Sequence, residues 1–97
     1  MRIKILASAV EDLHQGRLFY QKQREGLGEY FLDALFADID ALALNGGIHL
    51  KVFGYHRLLS KKFPYAIYYK TEERDLVVVH RVLDLRQEPM KLRRALK

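Results

Sequence analysis

The chain has no cysteine, only two prolines, and no long apolar run among its 97 residues. Without cysteine there are no disulfides, no thiolate metal ligands and no thiol nucleophile, and the chain fits a reducing compartment without requiring one. The longest apolar runs, "LVVV" and "AIYY", fall far short of the roughly 20 residues that span a bilayer, so no membrane partner is expected. At the start, "MRIKILASAVEDL" places Glu11 and Asp12 too early for a secretory signal, and a cytoplasmic protein is expected. Hydroxyl nucleophiles are scarce: neither Ser8 nor Ser60 sits in a G-x-S-x-G elbow, and Thr71 is the other candidate. The glycines of "GLG" and "NGG" follow no strand and carry no Walker lysine or third glycine, which excludes the usual nucleotide loops. His14, His49, His56 and His80 have no histidine at i+3 or i+4, so neither a metal site nor a cofactor is expected.

What is present suffices for one core. A hydrophobic content of 49% with 11% aromatics predicts a single domain over 1–97. Seventeen Lys and Arg face 12 Asp and Glu, giving +5, with the acids concentrated in the first 40 positions and the later half basic. A basic surface of this kind suits an acidic partner, either nucleic acid or protein.

"RIKIL" reads as a short strand, and "SAVE" after it has a capping-box pattern in which Ser8 caps a helix and Glu11 reaches back. Val10, Leu13, Gly16 and Tyr20 form its stripe, Gly16 leaving room for a second helix, and Gly26 is the expected C-terminal cap. From Gly28, the residues Phe31, Leu32, Leu35, Phe36, Ile39, Leu42 and Ala43 repeat at i, i+3, i+4, predicting a second helix that "NGG" at positions 45–47 ends. The two should form an antiparallel hairpin. The period then changes: "LKVF", "HRLLSKK", "PYAIYYK" and "DLVVVHRVLD" read as strands, the last two as a hairpin. Pro64 cannot donate to a ladder and should open its strand, with Phe63, Tyr65, Ile67 and Tyr69 on one face and Ala66 and Tyr68 on the other. "RQEPMKLRRALK" offers Pro89 at a helix start and a basic tail anchored by Met90, Leu92 and Leu96, ordered only by docking. The expected class is α+β: an N-terminal strand, a helix hairpin, a three- or four-stranded mainly antiparallel sheet carrying both helices on one face, and a short basic C-terminal helix or tail.

Chemistry could come from cations on or beside the strands: Lys51, Arg57, Lys61, Lys62, Arg81 and Arg86. Arginines so placed can hold phosphate or stabilise a pentacovalent phosphate, exposed tyrosines can stack on bases, and His80 beside Arg81 could move a proton. The plainer alternative is that such cations keep a one-sided sheet soluble and its edges unpaired.

"FYQKQREGLGEYF", "HRLLSKKFPYAIYY" and "VLDLRQEP", taken in series over nearly the whole chain, resemble the RelE/ParE superfamily of bacterial type II toxins, closest to the ParE-like, plasmid-stabilisation branch. The resemblance implies a small cytoplasmic toxin made with a cognate acidic antitoxin that wraps and blocks it as a hetero-oligomer. Val77, Val79 and Leu92 are the apolar positions expected to meet it, Val77 to Val79 as an open strand edge. ParE-like members poison DNA gyrase by binding, which implies Arg86, Arg93 and Arg94 as target contacts and no catalytic residue. RelE-like members cut messenger RNA on the ribosome without a metal, which would give Arg57, Lys61, Arg81 and His80 catalytic roles. The last tyrosine here is Tyr69, so the terminal tyrosine common in the nuclease branch is missing; Asp84 and Gln87 also depart from frequent ParE-like residues, histidine and a basic side chain. A third reading is an inactive homologue that only binds antitoxin.

Overall fold

The computed structural model describes residues 1–96. In chain order it contains β1 (Arg2–Ile5), α1 (Ala7–Gln23), α2 (Leu27–Asp40), α3 (Leu42–Asn45), β2 (Lys51–Val52), β3 (Tyr55–Leu59), β4 (Tyr65–Glu72), β5 (Leu76–Asp84) and α4 (Pro89–Ala95). The strands make one sheet in the order β1-β5-β4-β3-β2, with β1 parallel to β5 and the other pairs antiparallel. The α+β expectation holds, with four strands after the helices.

Alternation along β4 divides the core. Tyr65, Ile67 and Tyr69 point to the α1–α2 side with Phe63 packed against them, while Ala66 and Tyr68 point to the other face. The predicted two-sided reading of "FPYAIYY" is therefore correct, and both faces are buried. The second face is covered by α4, whose Leu92, with Leu96 just after the helix, packs on Tyr68, Ala66 and Leu83. The helix hairpin keeps to one face as expected, and the expected C-terminal helix starts at Pro89 and docks on the other. Of its expected anchors Leu92 and Leu96 are buried and Met90 is exposed, so Leu92 is a core contact rather than one open to a partner.

In β5 the register passes from Arg81, opposite Tyr68, to Val79, opposite Tyr69, leaving His80 as the extra residue of a bulge. The bulge lets Val79 and Val82, three apart, both face the helices. Strict alternation would have turned Arg81 into that apolar layer.

The helix hairpin depends on two close approaches. A Cβ on Gly16 would lie 2.5 Å from Phe31 Cζ, and one on Gly28 would lie 2.7 Å from the Arg17 carbonyl oxygen, so the ring and the backbone occupy the space a side chain would need. Gly16 thus does what its place on the stripe predicts. Four local expectations fail. The first helix starts at Ala7 and is not capped by Ser8, whose hydroxyl instead donates to the His80 carbonyl at 2.7 Å. Ala9, not Val10, is the buried residue of that first turn. On α2, Phe36 is exposed rather than part of the buried stripe formed by Phe31, Leu35 and Ile39. Gly26 does adopt the left-handed conformation, at φ 87°, but it opens α2 after α1 has ended at Gln23.

Candidate functional site

The strand expected to be open is an interior one. Val77 and Val79 are fully buried, and β5 lies between β1 and β4, with Ile3 opposite Val77 and Ile5 opposite Val79. A run of β-branched residues buried on both faces marks an interior strand, so these valines offer no edge to a partner. Beyond Ile5, where β1 stops, α1 takes over the edge. Leu6 N–H donates to the Val79 carbonyl at 3.0 Å, Ser8 to His80, and Asp12 accepts from Val82 N–H at 2.9 Å.

Asp12 also holds Arg81. The guanidinium donates twice to the carboxylate, at 2.7 and 2.8 Å, and a third time to the Ala95 carbonyl at 2.9 Å, tying α1, β5 and α4 together. The hydrogen bonds to Asp12 push the Arg81 pKa up further and outweigh its burial. Its neighbour His80 has a buried Nε2 without a hydrogen-bond partner and packs edge-on to Tyr55. Burial, then the charge of Lys70, lowers the His80 pKa against the opposing pull of Glu72, so the ring is held neutral.

Arg86 is a second anchored arginine. It donates to both Asp84 oxygens, at 2.9 and 2.7 Å, reaches the Tyr20 hydroxyl at 3.3 Å, and lies over the Phe19 ring with its carbon 5.3 Å from the centroid. Burial works against the Asp84 charge, but the hydrogen bonds from Arg86 prevail and hold the carboxyl below its usual range. Burial, with Asp84 nearby, pushes the Tyr65 hydroxyl up to about 12. Between α1, β5 and α4 lies a groove of about 440 Å³ whose walls include Asp12, Phe19, Arg81, Asp84 and Lys91.

The cations proposed from sequence separate into groups. Arg57, Tyr68 and Arg81 lie opposite one another across β3, β4 and β5, in one row on the face that α4 covers. Lys61 is not in that row: it sits with Lys62 on the β3–β4 loop, beside Tyr30, Asp33 and Asp38. Buried Asp38 fixes this loop by accepting from the Ser60 hydroxyl at 2.7 Å. Arg93 and Arg94 are exposed on α4. Sequence reasoning missed Asp12 and Tyr20 as partners of arginines, because their contacts with Arg81 and Arg86 span 69 and 66 positions; it also missed the pairing of Asp84 with Arg86, although the two stand only two positions apart.

A third cluster was also not anticipated. Tyr69, buried in the helix-side core, accepts from Gly47 N–H at 2.9 Å and stands 2.5 Å from His49 Nδ1. His56 stacks on the same ring and donates from Nδ1 to the His49 carbonyl at 2.6 Å. Burial, then the neighbouring charge of His56, lowers the His49 pKa. Among the described residues no group of three or more His, Asp or Glu is placed to hold a metal ion, and no helix is long and apolar enough to cross a membrane.

These features define a class of fold: a helix hairpin and a short terminal helix on opposite faces of a five-stranded sheet whose first strand joins in parallel. A chain of the chromosomal ParDE TA system from P. aeruginosa has the same fold, with a TM-score of 0.72 over 88% of this chain and 96% of that one, at 16% sequence identity. No protein-family model and no curated protein matches the sequence.

Proposed function

We propose that the chain is the toxin of a type II toxin–antitoxin pair, a cytoplasmic protein restrained by an acidic antitoxin and acting on DNA gyrase by binding. The observation that carries this reading is the likeness in fold to a chain of a ParDE system, which spans nearly all of both chains and agrees with the motif series. The state of the candidate catalytic groups also favours binding over cleavage. A general base needs a nitrogen within reach of a substrate proton, whereas His80 Nε2 is buried and Arg81 is committed to Asp12 and Ala95.

Arg93 and Arg94 are the contacts to test first, because both are exposed and neither joins an ion pair among the described residues. Arg86 is a poorer probe: its removal strands Asp84, so lost activity would not separate contact from structure. Purified chain is expected to inhibit supercoiling by gyrase, and Arg93→Glu with Arg94→Glu to weaken inhibition about tenfold or more at unchanged melting temperature. Normal supercoiling in the presence of the folded chain would remove gyrase as the target.

The row of Arg57, Tyr68 and Arg81 supports a second reading, a ribosome-dependent endoribonuclease. Tyr68 is buried beneath α4, so this activity requires that helix to move. Cleaved message on programmed ribosomes, with supercoiling untouched, would favour it. An inactive antitoxin-binding homologue would show neither effect.

A further inference from the structure

Charge is distributed unevenly over the sheet. The ion pairs among the described residues, Arg17–Glu29, Arg81–Asp12 and Arg86–Asp84, all involve α1, α2 or the β5 end of the sheet. From position 41 to position 71 the sequence has no Asp or Glu, yet it holds Lys51, Arg57, Lys61, Lys62 and Lys70, none of them in those pairs. The same segment exposes aliphatic side chains: Leu44 is 91% exposed, Ile48 73%, Leu50 86% and Leu59 52%. Single exposed aliphatics are ordinary, but Leu50 beside β2 and Leu59 on β3, set among cations outside those ion pairs, mark a surface for a partner.

The backbone at this place is open as well. β2 is two residues long and pairs with β3 through Lys51 opposite His56 and Val52 opposite Tyr55, while Arg57 N–H donates to the Leu50 carbonyl. Antiparallel pairing alternates inward and outward groups, so Lys51 turns its N–H and C=O away from the sheet. The turn that closes this hairpin sets Phe53 at φ 55°, a conformation a phenylalanine seldom adopts.

We propose that the β2–β3 edge is the docking site for an extended acidic segment of the partner, its carboxylates toward Lys51 on one face and its apolar side chains against Leu50 and Leu59 on the other, beside Arg57. The inference rests on the toxin–antitoxin reading for the identity of that partner, and it replaces Val77 to Val79 as the place of contact. Nucleic acid fits less well: apart from Phe53 the exposed apolar side chains here are aliphatic, with no face on which bases stack.

The test uses the folded chain, isotope-labelled for amide spectra, with three short probes: a peptide of alternating Glu and Val, its Lys–Val counterpart, and oligothymidylate. The Glu–Val peptide is expected to bind and to shift the amides of Leu50 to Val52 and Arg57 to Lys61. Lys51→Glu with Arg57→Glu should weaken it about tenfold. Leu50→Ser with Leu59→Ser, which leaves the charge alone, should also weaken it, and melting temperatures check that both variants fold. No binding, shifts confined to the β5–α4 groove, or oligothymidylate binding that is equally tight and equally sensitive to charge reversal would each overturn the proposal. Growth arrest on inducing the chain alone is scored separately. Arrest without binding at this edge sinks the docking site and keeps the toxin reading; binding here without arrest does the reverse.

Discussion

His49 shows how one side chain can make a loop sensitive to pH. The Tyr69 hydroxyl accepts from Gly47, so its own proton is free to go to His49 Nδ1, a bond that requires the neutral ring. In the unfolded chain His49 titrates near 6.5, and in the folded chain lower, so the unfolded state binds the proton more readily. This contribution is complete above about pH 6.5 and is lost as the pH falls toward the folded value; His80, lowered mainly by its own burial, acts in the same direction. Melting temperature should therefore drop from pH 7 to 5, and His49→Gln should flatten the drop without removing it. An equally steep drop in the variant would contradict the assignment. None of this was visible in the sequence, where the four histidines share no helical spacing and the 20 positions between His49 and Tyr69 hide their contact.

Among the elements, the helix hairpin and the β4–β5 hairpin were the most legible, because each is set by local periodicity. The repeat from Phe31 to Leu42 located the second helix, and Pro64 located the start of β4 to within a residue. Less legible were features that only tertiary contact decides. The bulge at His80 resets which face each β5 residue occupies, and β1 docks in parallel beside β5 across more than 70 positions of chain. The docking of β1 turned the expected open edge at Val77 to Val79 into an interior strand. The C-terminal helix and its anchors Leu92 and Leu96 were read correctly; what the sequence left open was where they dock, on the apolar second face that alternation in β4 provides. At this scale Gly16 is the sharpest test. Gly16→Ala gains helix propensity of about 1 kcal/mol but forces the Phe31 ring from a filled site, an overpacking cost of roughly 1–3 kcal/mol. A net loss near 1 kcal/mol is expected in urea unfolding; a more stable variant would mean that the helices separate easily.

Over the whole molecule, charge and packing follow different boundaries. The core spans both faces of one sheet, while compensation of charge stops at β4: carboxylates anchor Arg17, Arg81 and Arg86, and the segment from position 41 to 71 is left with cations only. Composition had disclosed that the later half is basic, but not that Arg81 and Arg86 are paired with Asp12 and Asp84, leaving the middle of the chain and α4 as its electropositive parts. The docking surface proposed for an acidic partner thus lies apart from α4, which carries the proposed target contacts Arg93 and Arg94. The central claim, a toxin that acts on gyrase, is tested most directly by pulse-labelling DNA and protein synthesis in a bacterial host during the first minutes after this chain is induced alone. The account predicts that DNA synthesis falls first, with protein synthesis following later. Protein synthesis falling first, or both continuing while folded chain accumulates, would contradict it.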